Sequence, residues 1–292
     1  MITVTSLKVR TFDLDHLDLY WEIPETTEEV EQYDFYVLRS GDGAGGPYEI
    51  LAGPFYNVFH FRDSDVHQLH RWRDYYYKIR VVRRADGYAQ EFGPEWLRAP
   101  PDLIALEIQR RERHLFQEWA GRSAIIFPRL TFGQRCGHCW DTGDRGNTIG
   151  RVTQQNCATC FDSSFVGGYS TPMRVFIQID PPPVQPQRTD LKEHQFVETS
   201  ARTSAFPPIY PKALLVEAEN RRWEVQRVSY TQKHRAVVRQ ELVLWEIPKG
   251  DIRYKVPINY DTLADFTPPK AMTRPHSLQA DLNDPLPDLF GE

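Results

Sequence analysis

Short segments in which apolar and polar residues alternate fill the first hundred residues. Leu17, Leu19 and Trp21 lie on one face of such a segment, because successive side chains of a strand point to opposite sides. Clusters of glycine, proline and aspartate separate the segments, which we predict to be strands over residues 2–9, 17–21, 33–38, 48–51 and 75–82. Short strands with regular turns are typical of a β-sandwich, and we predict one over residues 1–100.

A helix is predicted to link this unit to the rest of the chain, over residues 101–122. Asp102 can cap its first turn and Gly121 can end it. Apolar residues recur at helical spacing at Ile104, Ile108, Leu115 and Trp119, so we expect that stripe to dock on protein. The other face carries Arg110, Arg111 and Arg113, which we expect either to be solvated or to contact DNA or an acidic subunit.

Strand signals return after the helix and predict a second β domain, a small barrel or sandwich, over residues 123–260. The segments concerned are residues 124–130, 173–179, 213–219, 222–230, 236–247 and 252–258. Asn220 is predicted to form a hairpin turn. We interpret residues 181–211 as an extended proline-rich loop and residues 261–292 as an extended C-terminal tail that becomes ordered on a partner. The predicted fold class is therefore mostly β.

The strongest chemical signal is a set of four cysteines, in an insertion at about residues 133–172. Cys136 and Cys139 form one CxxC pair, and Cys157 and Cys160 form a second pair after 17 intervening residues. Two such turns can place four thiolates around one ion, which predicts a structural zinc site with those four ligands and no open coordination position. A redox pair is the competing interpretation, but it needs a CxxC at a helix start in a βαβ unit. His138 is expected to be an exposed residue rather than a fifth ligand.

Composition excludes several classes of function. The 292 residues carry a net charge of -5, which gives no general reason to bind nucleic acid. The first residues lack a signal-peptide pattern and no run approaches the ~18 apolar residues that span a bilayer, so we expect a soluble protein made in the cytosol, without a membrane partner. The sequence contains none of the GxSxG, HExxH or phosphate-loop motifs, and we expect that the protein is not an enzyme.

The N-terminal segment resembles a fibronectin type III domain. The residues that carry the resemblance are Trp21, then Leu69 six positions before Tyr75, and the alternating Tyr77, Ile79 and Val81. The resemblance implies that Tyr75 forms a tyrosine corner, in which its hydroxyl bonds back to the turn backbone. A fibronectin type III fold does not by itself indicate which ligand the domain binds.

Residues 112–258 resemble a family of virion structural proteins of tailed bacteriophages. The resemblance rests on the order and spacing of RERHLFQEWAG, RCGHCWD, NCATCFDSSFVGGYSTP, ENRRWEVQRV and VRQELVLWEIPKGDIRYKVPI. The family often has Tyr-Gly-Thr-Gly after the last cysteine, where this chain has Phe161-Asp162-Ser163-Ser164, so we expect a different turn there.

That resemblance implies a neck, collar or head-to-tail connector protein, located in the virion after assembly in the host cytoplasm. Its implied partners are copies of itself in an oligomeric ring and other neck, portal, tail or capsid proteins. DNA would pass nearby without sequence-specific binding.

Other functions remain open at this stage. A zinc-ribbon nucleic-acid-binding protein could use Arg222 and Trp223 to stack on a base. A tail-tip or fibre-associated adhesion protein could use the aromatic run at residues 55–61, although core packing explains such a run more often. His67 and His70 have a metal-binding spacing, but a surface turn is the simpler interpretation.

Overall fold

The computed structural model describes residues 2–11, 16–66, 74–98, 102–141, 151–152, 156–180, 198–217, 220–233 and 236–258. Over these residues the chain is mostly β, as predicted, and consists of an N-terminal sandwich, a helix and a closed barrel. The predicted C-terminal tail, residues 261–292, lies outside the described residues, as do residues 181–197 of the predicted loop.

The N-terminal unit is a sandwich of seven antiparallel strands. They are β1 (Ser6–Arg10), β2 (Leu17–Glu22), β3 (Tyr33–Ser40), β4 (Glu49–Phe55), β5 (His60–Asp63), β6 (Tyr76–Arg83) and β7 (Ala89–Trp96). One sheet has the order β1-β2-β5 and the other the order β4-β3-β6-β7. The predicted inward residues Leu19 and Trp21 pack against Phe35, Val37 and Ile79 of the facing sheet, so alternation along the sequence does define the buried faces.

Two strands of the sandwich, β5 and β7, were not predicted. Strand β7 contains Gly93-Pro94, and a proline within a strand pattern argues against a strand unless the strand lies at a sheet edge. Strand β7 is an edge strand, and most of its side chains are exposed or half-buried, so it lacks a clear apolar face. A Cβ atom at Gly93 would lie 2.8 Å from the backbone oxygen of Tyr77, which explains the glycine.

Tyr77 is one of two tyrosines, with Tyr33, that the structure buries in the sandwich core. Its hydroxyl donates a hydrogen bond to Oδ2 of Asp63 at 2.7 Å, and burial raises its pKa, with Asp63 adding to the shift. Tyr75 is half-buried against the same core. Leu69 and the turn that Tyr75 was expected to bond, residues 67–73, lie outside the described residues.

The linking helix α1 (Leu103–Leu115) continues into a π-helical turn (Phe116–Ala120). Asp102 caps it as predicted, since its Oδ1 accepts the backbone N–H of Ile104 at 3.1 Å. Gly121 follows the last turn in extended conformation, where a Cβ would lie 2.6 Å from the Phe116 oxygen. Lack of space, rather than a left-handed backbone, therefore explains that glycine.

The predicted apolar stripe of α1 is not the face that packs on the barrel. Ile104, Leu115 and Trp119 are exposed and Ile108 is half-buried, whereas the buried residues are Ala105, Leu106, Gln109 and Phe116. The Nε2–H of Gln109 donates to the backbone oxygen of Val237 at 2.6 Å, and Glu112 pairs with Arg239 at 2.8 Å. Polar side chains fix this face on the barrel, so apolar spacing alone does not identify the side of the helix that packs there.

The second unit is a barrel of six antiparallel strands. They are β8 (Arg122–Phe127), β11 (Met173–Ile179), β12 (Glu198–Ser204), β13 (Leu214–Val216), β14 (Arg222–Lys233) and β15 (Ala236–Glu246). The barrel closes in the order β11-β12-β15-β14-β13-β8. Ile126, Ile177, Leu215, Trp223 and Leu242 fill its interior. Asn220 lies between β13 and β14 with φ of 59°, as a tight turn requires.

Two predictions within this unit were wrong. Residues 198–204 belong to a strand rather than to a loop, because Thr199, Ala201 and Thr203 alternate inward as small or β-branched residues. The segment predicted as a strand over residues 252–258 contains a 3-10 turn (Ile252–Lys255), which Asp251 caps through a 2.9 Å bond from the Arg253 N–H.

Candidate metal centre

Two matching turns carry the four cysteines. In the first, the backbone N–H of Trp140 donates to the Cys136 oxygen at 3.0 Å; in the second, the N–H of Phe161 donates to the Cys157 oxygen at 2.9 Å. Strands β9 (Trp140–Asp141) and β10 (Arg151–Val152) pair between the two turns. Both CxxC segments therefore fold back in the same way and present their sulfurs to one point.

The turn after Cys160 has a left-handed backbone without glycine. Asp162 and Ser164 have φ of 63° and 70°. Asp162 offsets the strain by accepting the backbone N–H of Cys157 at 3.1 Å through Oδ1. This side-chain bond also ties the turn after Cys160 to the start of the second CxxC pair.

The four sulfurs form a compact buried cluster. The Sγ atoms of Cys136 and Cys157 are 3.7 Å apart, those of Cys139 and Cys160 are 3.2 Å apart, and all four lie within 4.8 Å of one another. A tetrahedral ion with sulfur bonds of ~2.3 Å requires sulfurs ~3.8 Å apart, whereas a disulfide requires ~2.05 Å. The cluster fits one metal ion and contains no disulfide.

The thiols differ in how readily they ionise. Burial raises the pKa of Cys139, with further contributions from Cys160 and Cys136, and burial also raises the pKa of Cys160. Burial would raise the pKa of Cys157 too, but hydrogen bonds from the backbone at Cys160 and Thr159 outweigh it and lower this pKa to about 7. A cation is what would allow all four buried thiols to be ionised together.

The centre is anchored to the N-terminal sandwich by the segment that precedes Cys136. Thr26 donates its backbone N–H to the Gly133 oxygen at 3.0 Å and accepts the Arg135 N–H at 2.9 Å. Gln134 accepts the Val30 N–H through its side-chain oxygen at 3.2 Å. The rings of Phe59 and Phe132 pack edge to face with centroids 5.0 Å apart. The cluster thus lies next to the contact between sandwich and insertion.

Arg135 connects that contact to both cysteine turns. Its guanidinium lies 3.9 Å from the ring centre of Trp140 and 4.1 Å from that of Phe165, and it pairs with Glu25 at 2.7 Å. On the other side, the N–H of Leu130 donates to the Gly168 oxygen at 3.1 Å, which ties the second turn to the end of β8. Sequence reasoning missed Arg135 and Glu25, because no local pattern indicates a pair 110 positions apart.

The other residues singled out from the sequence do not join this site. His138 is exposed, as expected. Arg222 and Trp223, suggested as a base-stacking pair, are fully buried, and the Trp223 Nε1 donates to Glu217 at 2.5 Å, so neither can stack on a base. In the aromatic run, Phe59 belongs to the sandwich core and Phe55 and Phe61 pack against it. His67 and His70 lie outside the described residues.

No protein-family model matches the chain, and no curated protein matches it. Over the part of the chain that the structure describes, no helix has the length and apolar character needed to cross a membrane. Function is therefore inferred from the metal-binding geometry and from the two β units.

Proposed function

We propose that this chain is a structural component of a tailed-phage virion: a neck, collar or head-to-tail connector protein that joins the portal end of the head to the tail. The resemblance of residues 112–258 to such proteins motivates this placement. Copies of the chain would form a ring through head-to-tail contacts that close on themselves. Other neck, portal, tail or capsid proteins would bind the ring.

The observation that carries the proposal is the buried four-thiol cluster beside the contact between the sandwich and the insertion. Four cysteine ligands fill a tetrahedral coordination sphere and leave no position for water or substrate. Such a centre supports a rigid building block rather than a catalyst. We assign zinc as the ion, because four thiolates in tetrahedral arrangement favour it.

Zinc in this site would supply folding energy to the insertion. Binding free energies of structural zinc are about 10 kcal/mol in small peptides. Cys136, Cys139, Cys157 and Cys160 would hold the ion, and the backbone N–H groups around them would orient the sulfurs. The two cysteine turns then need little apolar burial of their own.

The charge of the chain suits a position around a DNA passage. Its net charge of -5 repels phosphate and opposes retention of the moving duplex, whereas a basic lining would bind it. DNA would accordingly pass without sequence-specific contact. The burial of Arg222 and Trp223 weakens the alternative of a nucleic-acid-binding protein.

Immunogold labelling of purified phage particles with an antibody against this chain tests the proposal. We expect label at the junction of head and tail. Label at the tail tip or fibres would overturn the connector assignment in favour of an adhesion protein, and unlabelled particles would overturn a virion role. A gel-retardation assay at physiological ionic strength should show no DNA complex; a stable complex would instead favour the nucleic-acid-binding alternative.

A further inference from the structure

Helix α1 and the turn after it present an apolar row to solvent. We name it the α1 row and define it by positions four, three, four and four residues apart: Ile104, Ile108, Arg111, Leu115 and Trp119. This spacing places the side chains on one face. The prediction that Arg111 lies on the opposite face was therefore wrong, and Ile108 is half-buried. The exposed fractions are 59% for Ile104, 41% for Leu115 and 71% for Trp119, which is unusual for large apolar residues on the same side of one helix.

The α1 row has positive charge at its middle. Arg110 and Arg111 both pair with Glu107, each at 2.8 Å, so two guanidinium groups share one carboxylate. Both arginine side chains are largely exposed. A ligand that suits this surface therefore combines apolar side chains with negative charge.

One segment of the chain has that composition. Residues 281–292, DLNDPLPDLFGE, contain the four acidic residues Asp281, Asp284, Asp288 and Glu292 and no basic residue. Apolar residues alternate with them at Leu282, Leu286, Leu289 and Phe290. The 34 residues that follow Ile258 can span at most ~110 Å when extended, which is enough to reach any surface of a protein of this size.

We propose that residues 281–292 bind the α1 row. The apolar side chains of the segment would cover Ile104, Leu115 and Trp119, and its carboxylates would pair with Arg110 and Arg111. The inference stands on the helix surface and the composition of the segment, and it does not depend on the proposed function.

A second copy of the helix fits the same surface less well. The α1 row runs from position 104 to position 119, so an antiparallel twofold pairing would place Arg111 of each copy at the centre. Like charges that face each other destabilise such a pairing. Binding of residues 281–292 would instead place carboxylates beside Arg111, so no like charges would face each other.

Photo-crosslinking in the full-length chain tests the proposal. The variant Trp119→p-benzoylphenylalanine should crosslink to residues 281–292 on irradiation, as identified by mass spectrometry of the digest. Ile104→p-benzoylphenylalanine provides a second position on the row, so the test does not depend on one variant. Tyr88→p-benzoylphenylalanine, at an exposed aromatic residue of the sandwich, is the matched control and should not crosslink to that segment.

Neutralising the four acidic residues of residues 281–292 is a second test of the proposal. Replacing the three aspartates by asparagine and Glu292 by glutamine should lower the crosslink yield by about fivefold, because the exposed pairs with Arg110 and Arg111 would be lost together. Crosslinks from both row positions only to helix α1 of another copy, or to neither segment, would overturn the proposal. An unchanged yield after neutralisation would overturn the role assigned to charge.

Discussion

Arg135 pairs with Glu25 at 2.7 Å, and the next residue in the chain, Cys136, contributes a sulfur to the four-thiol cluster. The same guanidinium lies between Trp140 of the first cysteine turn and Phe165 after the second. One side chain thus joins the N-terminal sandwich to both turns, and Arg135→Ala should weaken the attachment of the sandwich.

We expect Arg135→Ala to lower the free energy of unfolding by about 2 kcal/mol, because a partly buried cation-π pair and an ion pair are lost together. Urea titration measures this change, and metal content should stay at one ion per chain because the ligands remain. Arg98 is a matched control, since it also pairs with a glutamate and lies over a tryptophan ring, but at an exposed site. Equal losses for Arg98→Ala and Arg135→Ala would contradict the linking role.

Cys157→Ser should abolish stoichiometric metal binding. Three thiolates and a hydroxyl bind zinc far more weakly than four thiolates, and without the ion the two turns lose the bonds that hold their sulfurs together. Elemental analysis should fall from one zinc per chain to near zero, and limited proteolysis should cut faster between residues 136 and 160. His138→Ala, which removes the exposed neighbour of the ligands, should change neither result. Full zinc content in Cys157→Ser would reject the four-ligand site.

Gln240→Leu should destabilise the barrel by about 3 kcal/mol. The buried Gln240 amide accepts the Ile209 N–H at 2.8 Å and donates to the oxygens of Ser204 and Pro207, each at 2.8 Å. Leucine would leave three buried backbone groups without partners. Gln232→Leu at the exposed end of β14 is the control and should stay within about 0.5 kcal/mol of the original chain. A similarly small effect at Gln240 would show that these bonds are replaceable.

Glu224 should make stability depend on pH. Burial would raise the pKa of Glu224, but Lys212 and Arg253 outweigh burial and hold the pKa below its ordinary value. A carboxylate with a lowered folded pKa stabilises above its unfolded pKa of about 4.3, and loses that contribution as pH falls through the folded value.

Glu224→Gln should therefore cost about 1–2 kcal/mol at pH 7 and progressively less below pH ~4, in urea titrations at several pH values. Glu22→Gln removes the partner of Lys8 in an exposed pair and should cost little at any of these pH values. If the cost of Glu224→Gln were the same at pH 3 as at pH 7, the electrostatic explanation would be wrong.

Much of the fold follows from local patterns, and the parts that do not are those decided by distant contacts. Alternation at Leu17, Leu19 and Trp21 was enough to orient β2, because a strand with one buried face carries that information itself. The cysteine spacing was enough to predict that the four cysteines lie together, because each CxxC turn closes within a few residues. Asp102 was identified as a cap from the same local chemistry.

The buried side of α1 shows why the rest could not be predicted. Gln109 is buried because Val237 accepts its hydrogen bond, and the two residues are 128 positions apart. Strand β12 was missed for a related reason: its small inward residues fit only because β11 and β15 lie on either side. The residue pattern within α1 does not indicate Val237, and the pattern within β12 does not indicate its neighbouring strands.

The closed barrel also limits how one chain could contact another. In the closed part of the barrel every strand has a hydrogen-bonded neighbour on both sides, so that part offers no open backbone ladder on which another chain could polymerise. Strand β14 extends beyond it, because β13 pairs only with Arg222–Glu224 whereas β15 pairs with β14 as far as Lys233. The outer part of β14 is therefore an edge to which a further strand could add, whereas contacts on the closed part involve side chains and can change one residue at a time.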